Sequence, residues 1–351
     1  MGQLRPGARP VGLPPGLSWP CRVDPAGLRG PTRAQARGAS WRTSSWGLYV
    51  PADAPLSVEQ RIVEGAARLP AYGAATGWAA LRWLGVWFDG LASGGRTQRP
   101  VDLATADSTV RSQTGIEVSE ERLAPAELMT YAGLVVTTPV RSLWFAMRHA
   151  PGREAAMVMA DMAAYSDLVS RAEAMTMAYA NPGWSGSGTA RSALDDMDEN
   201  AWSPAEVGMR AVWCELAHLP RPLCNQPVFD RNGRLTGTPD LFDPTVGVAG
   251  EYDSALHLEG SQRARDVLRE GLFRAAGLEY VTMLAADLAR PDAFVTRLQQ
   301  AYGRAARQPV SDRAWTIELP PWWVPTFTVD QRRALDDHQR DRLLRLRLRT
   351  G

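Results

Sequence analysis

Gly237-Thr-Pro-Asp240-Leu-Phe-Asp243 and, eleven residues beyond Asp240, Gly250-Glu251-Tyr-Asp253-Ser-Ala-Leu-His257 carry the reading of the fold. Each is a short apolar run with carboxylates at its ends, and Asp243-Pro244 turns the chain between them. Paired strands of this kind lie side by side, so Asp240 and Glu251 become neighbours. Strand alternation puts Glu251 and Asp253 on one face. Crowded carboxylates raise one another's pKa, and a hard divalent cation relieves the repulsion with oxygen ligands. Mg2+ or Mn2+ held by such acids polarises a phosphodiester and activates a water.

The flanks extend the pattern. Ser203-Pro-Ala-Glu206 reads as a capping box with proline at the first helical position, opening a helix to about Leu216. Glu206, in the first turn, is a third metal-ligand candidate beside Asp240 and Glu251. Residues 223–230 and 234–242 read as strands joined by Asn232-Gly233, a strong hairpin signal. A third strand covers 246–253, a helix 261–276 closes at Gly277, and a fourth strand covers 279–284. The order is helix, three strands, helix, strand.

That order, with Pro239-Asp240 and Glu251-x-Asp253, resembles the PD-(D/E)xK nuclease superfamily. Glu251 to His257, Arg265-Asp266-x-x-Arg269 and Gly277-Leu278 resemble its very-short-patch-repair (Vsr)-like endonuclease domains, over about residues 203–302. Glu206 matches the acidic position on the first helix of those domains. The resemblance implies Asp240, Glu251, Asp253 and His257 as catalytic candidates, with His257 as the acid/base group. The departure is at Asp253, where the superfamily carries lysine. The chain contains no lysine at all; its 39 basic residues are all arginine. Arg265 and Arg269 are candidates for pairing with the acids or for contacting nucleic acid.

The front of the chain has its own pattern. Residues 1–30 are rich in Pro and Gly and read as an irregular, mobile segment. A short helix over 31–38 and two strands around a turn in 42–50 make a truncated winged-helix remnant, 31–55, in which Arg37 and Arg42 are nucleic-acid candidates. Residues 56–200 read as mostly helical, with strand-like runs at Val101-Asp-Leu-Ala-Thr and Gly115-Ile-Glu-Val. The fragment Pro31 to Pro51, Thr76-Gly-Trp-Ala-Ala-Leu and Thr138-Pro-Val-Arg141-Ser-Leu-Trp resemble actinobacterial AbiEi-type antitoxins, regulators of type IV toxin–antitoxin systems. That resemblance implies DNA and a cognate toxin as partners. The fold class expected is therefore a multidomain α+β and α/β chain. A degenerate winged helix and a helical middle precede a restriction-endonuclease-like α-β-β-β-α-β core at 201–305.

The remainder, 306–351, holds Pro320-Pro-Trp-Trp-Val-Pro and an arginine-rich helix expected over 328–349, its arginines partly paired with interleaved aspartates. Trp322 and Trp323 are expected to pack on the sheet. Bulk properties suit a globular protein of several domains: 351 residues, 45% hydrophobic, net charge +1. Cys21, Cys214 and Cys224 show no metal or disulfide spacing. No run has the length of a membrane span, and Met1 to Pro20 lacks an apolar signal core, so a cytoplasmic setting is expected. Three readings stay open: a DNA-binding regulator with a nuclease-like domain, a metal-dependent endonuclease, and a protein-interaction module with a decayed nuclease fold.

Overall fold

A computed structural model describes residues 9–92, 95, 97–106, 110–253 and 260–345, apart from the side chains of 260–267. The chain is a mixed α and β protein with several small sheets, and no described helix is long and apolar enough to cross a membrane. It divides into two compact units, 1–151 with 172–194, and 152–171 with 195–351.

In the first unit, residues 9–30 are irregular but anchored. Cys21 exchanges backbone hydrogen bonds with Tyr49, and the Gln60 side chain clips both backbone groups of Ser18. The helix expected over 31–38 shrinks to one tight turn, Gln35–Arg37. Strands β1 (Trp41–Ser45) and β2 (Leu48–Pro51) follow as an antiparallel pair. Helix α1 (Val58–Ala66) starts where the Ser57 side chain accepts the Gln60 amide. Then come β3 (Ala74–Ala75), α2 (Gly77–Trp83), β4 (Val101–Ala104), β5 (Ile116–Ser119), β6 (Leu128–Tyr131), β7 (Leu134–Thr137) and α3 (Pro139–Arg148).

Strands β5, β4, β3, β7 and β6 form one mixed sheet in that order, in a region expected to be mostly helical. Its signals are faint for physical reasons. Strand β3 is two alanines long. The β6–β7 turn has positive φ at both Ala132 and Gly133, the conformation that Asn-Gly normally announces. Helices α1 and α2 pack on β4, and α3 packs on α2. Trp78 and Trp83 are buried there while Trp87 is exposed.

Helix α4 (Arg153–Tyr165) belongs to the second unit, whereas α5 (Arg171–Ala180) and α6 (Ser187–Asp195) lie mostly in the first. The second unit continues with α7 (Pro204–Ala211), extended by one widened turn to Leu216. Strands β8 (Leu223–Cys224), β9 (Val228–Asp230), β10 (Leu235–Gly237), β11 (Leu241–Asp243) and β12 (Val248–Asp253) follow. Then come α8 (Gly260–Ala275), β13 (Glu279–Leu284), α9 (Asp292–Ala305), β14 (Trp315–Thr316), α10 (Val329–Arg333) and α11 (Asp337–Leu343).

The strand expected over 234–242 is two strands. Pro239 has no N–H for the ladder, and the chain changes sheet at Thr238-Pro239-Asp240. Strands β10, β9 and β14 make a three-stranded sheet, with the expected turn at Asn232-Gly233. Strands β13, β12, β11 and β8 make a four-stranded one. Within it β12 runs antiparallel to β11 and parallel to β13. Phe242, Ala249, Val228, Phe273 and Leu278 are buried in one cluster against Trp315. Gly250 allows α7 to lie close on the sheet, since a Cβ there would meet Met209 Cε at 2.5 Å and Trp213 Cζ3 at 2.9 Å.

The tail differs from expectation. The single helix 328–349 is two short ones, α10 and α11, each with its own side-chain cap at Thr328 and Asp336. Of its described arginines, Arg332 and Arg340 turn to Asp167, outside the tail, instead of to the interleaved aspartates. Arg332 is fully buried; it donates to Asp167 (2.6 Å) and to the carbonyls of Thr326 and Ala164, and Arg340 also reaches Asp167. Trp323 packs edge-on against Phe229, at 5.1 Å between rings, while Trp322 is mostly exposed.

Candidate functional site

The site is assembled in the second unit at the junction of α7, the start of β11 and the end of β12. The Ser203 side chain accepts the Glu206 amide at 3.2 Å, fixing the first turn of α7. The reciprocal half of the expected capping box is displaced by one residue, because Glu206 Oε2 accepts from the amide of Trp202 at 2.8 Å. The same oxygen accepts from Asn225 Nδ2 at 2.7 Å, and Glu206 is buried.

Asp240 stands immediately before β11. Leu241 pairs with Gly250, so Asp240 falls opposite Glu251. Its Oδ2 accepts the Tyr252 amide at 2.7 Å, and its carbonyl accepts the Asn225 amide. Glu251 is buried in the middle of β12, and Arg269, projecting from α8, forms an ion pair with its Oε2.

The electrostatics follow from burial and crowding. Burial, reinforced by the Asp240 carboxylate, pushes Glu206 up to about 8. Burial also pushes Asp240 up to about 6, although the Tyr252 amide and Arg269 pull it back. At neutral pH this acid pair retains a proton. The phenol of Tyr280 is raised by burial and by Glu251.

Of the sequence candidates, the structure thus brings Glu206, Asp240, Glu251 and Arg269 together. Asp253 is exposed at the end of β12. His257 lies outside the described residues, as does the side chain of Arg265. In the first unit Arg42 forks onto Glu64 at 2.9 and 2.6 Å, whereas Arg37 is exposed.

The sequence reading missed Asn200 and Asn225. Asn225 adopts φ +46, a region where asparagine is among the few non-glycine residues tolerated. Its Nδ2 also donates to the Asn200 carbonyl, and Asn200 Nδ2 donates to the Cys224 carbonyl at 2.7 Å. These amides hold Glu206 against the strand end. Nothing in a lone asparagine after a strand signals that role.

The donor set does not fit Mg2+ or Mn2+ as it stands. Among the described residues, no three Asp, Glu, His or Cys side chains form a group that could hold a metal ion. Glu251 faces a guanidinium, and burial and mutual crowding favour the protonated form of Glu206 beside Asp240. What the arrangement does provide is a buried acid pair whose raised pKa favours protonation, beside an arginine-paired carboxylate, held by hydrogen bonds from Trp202, Asn225 and Tyr252. No protein-family model, curated protein or solved structure matches the chain.

Proposed function

We propose that the protein is a nucleic-acid-binding regulator of the AbiEi-antitoxin type, whose second unit is a nuclease-like core that does not cut. The observation that carries this reading is the gathering of Glu206, Asp240 and Glu251 at one end of the β13-β12-β11-β8 sheet, with Arg269 paired to Glu251. Helix α7, strands β8, β11 and β12 of one sheet, helix α8 and strand β13 follow in that chain order around those acids, with β9 and β10 diverted to a second sheet. This order supports the PD-(D/E)xK and Vsr-like resemblance. The closed state of the acids favours the regulator over the endonuclease. The truncated winged helix with exposed Arg37, and a chain whose cations are all arginines, suit phosphate contact.

The test pairs two assays on the full chain. Gel shift with duplex DNA should show binding that weakens steeply between about 50 and 200 mM salt, as counterion release requires. Incubation with Mg2+ or Mn2+ should leave that DNA uncut. Affinity indifferent to salt, or no binding at low salt, would overturn the regulator reading. Metal-dependent cutting that Glu251→Ala abolishes would establish the endonuclease instead.

A further inference from the structure

The first unit contains a second charged site that the nucleic-acid reading leaves unused. Arg141 and Arg148 lie seven residues apart on α3, two helical turns, and therefore on one face. Their side chains are 1% and 2% exposed. Between them sits the carboxylate of Glu121, which enters from the segment after β5. Arg141 Nη2 donates to Glu121 Oε2 and Arg148 Nη2 donates to Oε1, each at 2.5 Å. His149 Nε2 lies 3.4 Å from the same Oε1, and Arg141 Nε lies 3.1 Å from Glu127 Oε1. The Trp184 ring stacks on both guanidiniums, at 4.7 and 4.8 Å, and Arg148 Nη1 donates to the Ser185 carbonyl.

Glu121 between the two forks, with Glu127 at the Nε of Arg141, does not use all the donors of this receptor. Each guanidinium carries five N–H donors in a fixed fork. Arg141 Nη1 and Arg148 Nε are buried and reach no acceptor. A carboxylate offers two oxygens and one charge. A phosphate monoester offers three terminal oxygens and nearly two charges, which suits two guanidinium forks better.

We propose that Arg141 and Arg148 form a receptor for a phosphate monoester group, closed in this state by Glu121 as an internal stand-in. Residues 120–124 belong to no helix or strand, and Arg122 and Ala124 within them are exposed. Glu121 can therefore withdraw without breaking the sheet. Trp184 supplies the flat wall that keeps both guanidiniums aligned while the anion changes. The site is independent of the acidic cluster in the second unit.

Calorimetry and thermal melts of the full chain with inorganic phosphate, at constant ionic strength, test the proposal. Glu121→Gln keeps the shape and removes the competing charge, so phosphate should bind roughly tenfold tighter than to the wild type. Arg148→Gln should abolish that binding. If Glu121→Gln is unfolded without phosphate, its refolding in phosphate supports the receptor, and failure to refold overturns it. A Glu121→Gln affinity no better than wild type, or stabilisation by chloride equal to that by phosphate, also overturns it. Oligonucleotides with a 5′-phosphate or a 5′-hydroxyl separate the sources. Phosphate-dependent binding of the former identifies a nucleic-acid end, and binding of inorganic phosphate alone identifies a small ligand. Because gel shift on internal duplex DNA does not use this site, its loss would condemn the regulator reading and leave the receptor standing.

Discussion

Two charged clusters in this protein invert one another. In the first unit, two buried arginines and a histidine converge on Glu121. In the second, Arg269 pairs with Glu251 and acts on Asp240, while Glu206 crowds Asp240. Burial would raise Glu121, but hydrogen bonds from His149, Arg148 and Arg141 outweigh it and hold the carboxyl at about 2. Burial, with the Asp240 carboxylate adding to it at Glu206, leaves Glu206 at about 8 and Asp240 at about 6. The same residue types thus give a permanent anion in one place and a stored proton in the other. The ratio of cations to carboxylates decides which.

The two clusters should respond to pH with opposite sign. Glu121 is depressed on folding, so its stabilising effect is full above the ordinary glutamate range, near 4.5, and fades as pH falls towards about 2. Glu206 and Asp240 are raised, so their contribution is full below about pH 4 and fades as pH climbs through about 6 and 8.

The largest effect that can break this contrast is in the first unit. Arg141→Ala removes one of the two guanidiniums and leaves Glu121 and Glu127 short of counter-charge. We expect a loss of about 3–5 kcal/mol, measured by urea unfolding at pH 7. A loss below about 1 kcal/mol would mean that the pair is not a buried unit. Next, Glu206→Gln mimics the protonated acid and keeps an oxygen for the Trp202 and Asn225 donors. It should flatten the decline in stability between pH 5 and 8, making the variant more stable than wild type at pH 8 by on the order of 1–3 kcal/mol. An unchanged pH profile would show that no proton is stored there.

Arg269→Gln makes the second unit still poorer in cations. Its guanidinium is part-exposed, so the expected cost is about 1–2 kcal/mol at pH 8. The same variant should gain Mg2+ binding visible by calorimetry, because Glu251 and Asp240 then face a vacancy in charge. Absence of that gain would show that the acids are mispositioned for a cation regardless of Arg269. The smallest effect belongs to Asp253→Asn. This exposed carboxylate lies outside the buried set, and stability should stay within about 0.5 kcal/mol of wild type.

Much of this organisation can be read from the sequence, because it rests on local chemistry. Ser203 caps α7, Asn232-Gly233 turns β9 into β10, and the spacing of Asp240 and Glu251 predicts their cross-strand meeting. The parts that escaped depend on distant partners. Only the packed structure shows that Glu206 reaches past its own cap to Trp202, or that Arg269 covers Glu251. The break at Pro239 was visible as a proline, but its consequence, a change of sheet, depends on which neighbours wait on each side. In the first unit's sheet β4 and β5 are legible as strand-like runs, but β3 escaped because a two-residue strand carries no periodicity. Arg332, one of many arginines in a polar tail, becomes a core residue through Asp167, 165 positions away.

Helix α4 is synthesised before the remainder of the unit to which it belongs. Asp161, fully buried in α4, is neutralised by Arg210, 49 residues later, at 2.7 Å. At a translation rate of about 5–20 residues per second, that helix spends roughly 2–10 s on the ribosome without its counter-ion. During the wait its apolar residues Met157, Ala160 and Ala164, buried in the finished fold, have no α7 to rest on. Residues 172–194, which complete the other unit, emerge in the same interval. The order of synthesis therefore lets the first unit be completed while α4 still waits for its partners, an interval in which its apolar face stays uncovered by α7.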